Sequence, residues 1–194
     1  MVLIHFVRRF PKVFSRHERN GVAAIEFALY ATIFLVVLAG TVDIGNLIFA
    51  EFQLDNAVEA GAEYALVNNA AATSSGGVTL ANSISSIVNN GHGSGGGWSN
   101  TVVVNNGPTT TTSNGSATAS GTAGSAASCY CPTGSPGSWT WGAAKTCNSS
   151  CTAGVFVSIV ATRNIAPFFP AWGFVTNSTT LTRSAMVQVA TSAN

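Results

Sequence analysis

Charged side chains are scarce: eight Lys and Arg and seven Asp and Glu make up 8% of 194 residues. An ordinary soluble domain carries about 25%. The acids are also confined, because all seven lie between Glu18 and Glu63 and none occurs from Tyr64 to Asn194. In that long stretch the only histidine is His92, in a glycine tract. Acid–base catalysis needs positioned titratable groups. A Ser-His-Asp triad, a catalytic carboxylate pair and a His/Asp/Glu metal site therefore all lack their parts there. We expect no enzyme, no cofactor, no metal centre and no small-molecule substrate. A net charge of +1 without a broad basic face argues equally against nucleic acid. With 46% apolar residues, a disordered polyelectrolyte is excluded.

Another absence is informative: no proline occurs between Val22 and Asn69, so nothing there breaks a helix. The stretch opens with Val22–Val42, VAAIEFALYATIFLVVLAGTV, which is apolar or small except for Glu26 and two threonines. About 20 such residues span a hydrocarbon core of about 30 Å. Five of the eight basic residues (Arg8, Arg9, Lys12, Arg16 and Arg19) precede it, and no comparable basic cluster follows. That asymmetry predicts a cytoplasmic N-terminus with the rest outside. An uncleaved anchor and an ordinary signal peptide, cut near Val37-Leu38-Ala39, are the simpler explanations.

Glu26 argues against both. A carboxylate inside an apolar run costs about 2–3 kcal/mol unless it has a partner. Cleavage after Gly21 would free an amine on Val22 and make Glu26 the fifth residue. Positions i and i+4 share a helix face, so the carboxylate could meet that amine in its own chain or in an adjacent copy. Glycine, four residues, Glu26, Phe27 and a continuous apolar stretch resemble a class III/type IV prepilin processing site. More closely, residues 19–66 resemble the TadE/TadF-like minor pseudopilins of the tight-adherence (Flp) pilus. One departure is the absence of a proline early in the apolar run, where Ala31 and Thr32 stand. The resemblance implies processing at Gly21-Val22 by a prepilin peptidase, insertion in the bacterial inner membrane, and other pilins or pseudopilins as partners. It also implies a periplasmic C-terminal domain, with incorporation into an extracellular fibre as a further possibility. Residues 1–21 hold five bases and one acid, so their removal changes the formal side-chain charge from +1 to −3.

Beyond Asp43 apolar residues recur at Ile44, Leu47, Ile48, Phe52, Val58, Ala62, Ala65 and Leu66, close to an amphipathic helical pattern. A helix over Val22–Val67 would be about 69 Å long. Glu51, Asp55, Glu59 and Glu63 recur every fourth residue along it. They form either a solvated face or a packing stripe for cations of a neighbouring subunit. Ala50, Ala57, Ala60, Ala62 and Ala65 would let another helix approach closely.

Residues 70–194 are expected to form an extracytoplasmic α+β domain. Val78–Val88 patterns as a short helix, and Thr101–Val104, Gly154–Arg163 and Thr179–Ala190 as strands. Gly91–Ala127 is otherwise rich in Gly, Ser, Thr and Asn and reads as loops. Within it GHGSGGGW lacks the Lys-Ser/Thr of a phosphate loop. In the last strand Arg183 shares a face with Leu181, Ala185, Val187 and Val189, as at a rim. The fold class is type IV pilin-like: a long N-terminal helix, 22–42 in the membrane and 43–69 projecting, packed on a small antiparallel sheet. Phe168, Phe169, Trp172 and Phe174 lie between the last two strands, as a core cap or a contact patch.

Cys129, Cys131, Cys147 and Cys151 enclose a Gly/Pro/Trp-rich insert. Four thiolates could hold zinc, although Cys-x₂-Cys is the commoner half-site. Outside the cytoplasm disulfides persist, so bridges are expected, and three pairings are open. A Cys129–Cys131 ring would be strained, and a hairpin-like insert favours Cys131–Cys147 with Cys129–Cys151. Two functions remain: a processed minor pilin, or an unprocessed single-pass protein whose Ser/Thr/Gly-rich domain binds a surface.

Overall fold

The computed structural model describes residues 18–91, 97–144, 153–171 and 175–191. One helix, α1 (Glu18–Val67), runs unbroken for 50 residues, about 75 Å at 1.5 Å per residue. With no proline, its donors are all available to continue the ladder. After a short 3₁₀ turn (Asn69–Ala71) the chain enters α2 (Gly77–Asn90). The Gly76 N–H donates to Thr73 Oγ1 at 3.0 Å, so the threonine side chain satisfies one donor at the start of α2.

Among the described residues seven strands follow: β1 (Trp98–Val104), β2 (Thr109–Ser113), β3 (Ser116–Ser120), β4 (Thr133–Ser135), β5 (Ser138–Thr140), β6 (Gly154–Ile165) and β7 (Thr179–Thr191). Five form an antiparallel sheet in the order β3-β2-β1-β6-β7, while β4 and β5 make a separate hairpin. Both helices pack on the sheet, α1 on β6 and β7 and α2 on β1 and β2. The core between them joins Leu54, Ala57, Val58 and Ala65 of α1, Leu80, Ile84 and Val88 of α2, and Val102, Val157, Ile159 and Val189 of the sheet.

The two long strands, α2 and the strand at Thr101–Val104 match the pattern read from sequence, each extended by a few residues. Two features differ. The Ser/Thr/Asn tract holds β2 and β3, where loops were expected. Its strands are joined at Asn114 and Gly115, both with positive φ (48° and 83°), the residue pair that two-residue hairpins favour. A polar network replaces apolar packing beneath them. Ser85 Oγ lies 2.6 Å from both Asn100 Oδ1 and Thr112 Oγ1, the Asn100 amide donates to the Ser85 carbonyl, and Thr110 donates to Asn82. Threonines can line a core when each hydroxyl has a partner.

The second difference concerns which face of α1 packs. Ala50, Leu54, Ala57, Val58, Gly61 and Ala65 are buried, whereas Ile44, Ile48, Phe52 and Leu66 are exposed. Leu54 and Val58 share the packed face with small residues, which stand where the contact is closest. A Cβ on Gly61 would come within 2.8 Å of Val88 Cγ2, and one on Gly91 within 3.1 Å of Ala57 Cβ. Ala50, Ala57 and Ala65 thus serve contacts within the chain, and Ala60 is exposed.

Candidate assembly and processing surface

Gly21, Val22, Glu26 and Phe27 all lie on the first described turns of α1 and are exposed, Phe27 by 74%. A Cβ on Gly21 would meet nothing within 4 Å. Glycine inside a helix is disfavoured by about 1 kcal/mol relative to alanine, and no packing contact compensates here. Among the described residues, packing gives no reason for a glycine at position 21.

Among the described residues one helix is long and apolar enough to cross a membrane. Its most apolar 18-residue window has a mean hydropathy of 2.3 and is only 6% buried. The core helix of a water-soluble protein would be mostly buried. Exposure of large apolar side chains continues past Val42 to Ile44, Ile48, Phe49 and Phe52. These residues lie away from the sheet, on a helix whose opposite face carries the core.

The acidic residues divide into two pairs. Arg183 of β7 forms ion pairs with Glu51 and, through Nε at 2.6 Å, with Asp55 Oδ1. The antiparallel register that sets Ala161 opposite Arg183 points this guanidinium to the helix side of the sheet. The cation facing the first two acids therefore comes from the same chain. Glu59 and Glu63 are exposed and have no ion pair among the described residues. Arg163 acts similarly one strand over. It donates to Gln53 Oε1 at 2.7 Å and stacks over the Trp98 ring at 4.6 Å, an arrangement its planar fork suits. Burial lowers its pKa from the ordinary arginine value.

Comparison with known proteins bears on the same helix. Residues 21–63 match the TadE-like protein family. No curated protein and no solved structure shows a significant match to the chain. The TadE-like match begins at Gly21, ends at Glu63, and includes neither residues 1–20 nor the sheet domain. The matched stretch is 43 of the 194 residues and lies wholly within α1.

Two further groups involve segments beyond the TadE-like match. The loop after β6 folds back along α1. The Phe168 N–H donates to Asp43 Oδ1 at 2.8 Å, and Phe169 lines an apolar groove with Leu35, Leu38 and Ala39. Asp43 is 2% exposed, and its Oδ2 has no hydrogen-bond partner among the described residues. Phe168 and Phe169 are exposed, so neither caps the core, and Trp172 and Phe174 lie outside the described residues. Sequence reading missed Asp43 because only a backbone donor 125 residues away gives it a role. Of the cysteines, Cys129 is buried and Cys131 half-buried, on either side of Tyr130, whose backbone bridges Gly154. This bridge ties the insert to the start of β6. Cys147 and Cys151 lie outside the described residues.

Proposed function

We propose that this protein is a minor pilin or pseudopilin that helps to assemble a tight-adherence pilus. A prepilin peptidase cuts after Gly21, and Val22–Val42 crosses the inner membrane with its N-terminus cytoplasmic. The α+β domain then stands in the periplasm or on the fibre. The observation that carries this reading is the apolar surface of Ile44, Ile48, Phe49 and Phe52, which continues the spanning stretch for about 15 Å beyond Val42. A simple anchor gains nothing from apolar side chains above the bilayer, where water would cover them. A subunit packed into a helical bundle buries them. The open space at Gly21 supports the same reading, since processing supplies the reason for glycine that packing does not.

In this scheme Glu26 neutralises the new amine of Val22, its own or an adjacent copy's, and so sets register in the bundle. Glu59 and Glu63 contact cations of neighbouring subunits, while Glu51 and Asp55 are held by Arg183. Cys129, Cys131, Cys147 and Cys151 form two disulfides that staple an outer domain poor in charge. The protein is a building block and not a catalyst.

The deciding experiment is the intact mass of the protein recovered from membranes and from sheared pili. A mature N-terminus at Val22 with co-purification in the pilus fraction is expected. An intact leader, or a start at Gly40, would instead favour the unprocessed surface-binding protein or a secreted one.

A further inference from the structure

The packed face of α1 does not stop where the sheet ends. Leu35, Ala39 and Asp43 are spaced by four and therefore lie on one side of the helix. All three face the β6–β7 loop: Asp43 through the Phe168 N–H, Leu35 and Ala39 across the groove shared with Phe169. Leu35 is seven residues before the end of the apolar run, about 10 Å along the helix. A loop of the outer domain thus overhangs the stretch that crosses the membrane. It presents Phe168 at 65% and Phe169 at 42% exposure.

We propose that this loop is a second membrane contact, with Phe168 and Phe169 seated in the outer leaflet beside the helix. The inference rests on the membrane-anchored reading of Val22–Val42. Lipid is favoured as the occupant because the groove is continuous with that stretch: whatever covers exposed Leu35 and Leu38 also covers Phe169. The loop's backbone chemistry suits the same place. A backbone donor at membrane depth needs a partner, because no water reaches it. In Pro167-Phe168-Phe169-Pro170 the two prolines have no N–H, and the Phe168 N–H is taken by Asp43. Three of four positions leave no open donor. Aromatic side chains at this level anchor a protein against tilt and fix its height. The contact would hold the sheet domain at one orientation above the bilayer before assembly.

The test places the photo-crosslinking residue p-benzoylphenylalanine at single positions of the full chain. Each variant is reconstituted alone in vesicles of phosphatidylethanolamine and phosphatidylglycerol. Position 168 carries the question, Phe34 in the spanning stretch is the positive control, and exposed Thr111 on the sheet is the negative one. After irradiation the protein labelled at 168 and at 34 should gain the mass of one phospholipid, and that labelled at 111 should not. Lipid labelling at 34 but not at 168 overturns the loop contact and leaves the anchor standing. A covalent dimer through 168 overturns it in favour of a second copy as the occupant. Absence of lipid at 34 as well overturns the membrane reading and the loop contact together.

Discussion

Arg183 offers the sharpest test of which acids serve the fold and which are free for assembly. Its guanidinium meets Glu51 and Asp55, and its Nη1 also donates to the Thr182 carbonyl at 3.1 Å. Two unit charges about 4 Å apart attract by about 4 kcal/mol at an effective dielectric of about 20, before desolvation and side-chain ordering are subtracted. The three side chains are 35–43% exposed, so solvent screens much of that attraction. Exposed pairs measure about 0.2–1 kcal/mol each. Removing the arginine also leaves Glu51 and Asp55 repelling across one helical turn, by a few tenths of a kcal/mol. Arg183→Gln should therefore lower stability by about 1 kcal/mol. In a double-mutant cycle with Asp55→Asn the coupling should be about 0.5 kcal/mol, and it should shrink at 1 M salt, where the screening length is about 3 Å. Urea unfolding of the full chain in micelles reads this through Trp98, which is buried in the core. A coupling indistinguishable from zero would refute the assignment. So would a coupling that appears only as protein concentration rises, since the acids would then be paired between copies.

Gly21→Ala should leave precursor of full mass in the membrane while leaving folding intact, because the added Cβ meets nothing; appearance of the mature form would remove the processing site. Glu26→Ala should give a correctly processed protein that fails to enter pili, seen as mature mass in membranes and loss from the sheared fraction. Gly61→Ala should destabilise by about 1 kcal/mol despite better helix propensity, because overpacking against Val88 costs about 1–3 kcal/mol and alanine returns about 1. The contact that decides the sign is the 2.8 Å approach to Val88 Cγ2, a β-branched side chain with little freedom to move. Treatment with dithiothreitol should lower the unfolding midpoint, consistent with about 3 kcal/mol for the first bridge; an unchanged midpoint with no new thiols on mass labelling would exclude both disulfides.

Elements whose signal is local were legible without coordinates. The apolar run and the absence of proline specify a long helix, since backbone hydrogen bonding acts residue by residue. The strands β6 and β7 showed themselves through β-branched alternation over Gly154–Arg163 and Thr179–Ala190, one or two residues short of their full extent. The hairpin of β2 and β3 carried an Asn-Gly signal, but its serines and threonines hid it. Burial of Thr110 and Thr112 depends on hydrogen-bond partners that α2 supplies from elsewhere in the chain.

Which helix face turns inward was beyond the sequence for a similar reason. Hydrophobicity favoured Ile44, Ile48 and Phe52. Val58 and Ala65 of that pattern do turn inward, but together with Leu54, Ala57 and Gly61, while Ile44, Ile48 and Phe52 stay outside. The sequence by itself determined that the chain has a basic N-terminal stretch, an apolar helix that could span a membrane, and a C-terminal domain without carboxylates. Only the tertiary structure decided that Arg183 takes Glu51 and Asp55, and that Asp43 holds a loop beside Leu35. These pairings join residues more than a hundred positions apart, and their energies exist only once the sheet has brought them within a few ångströms.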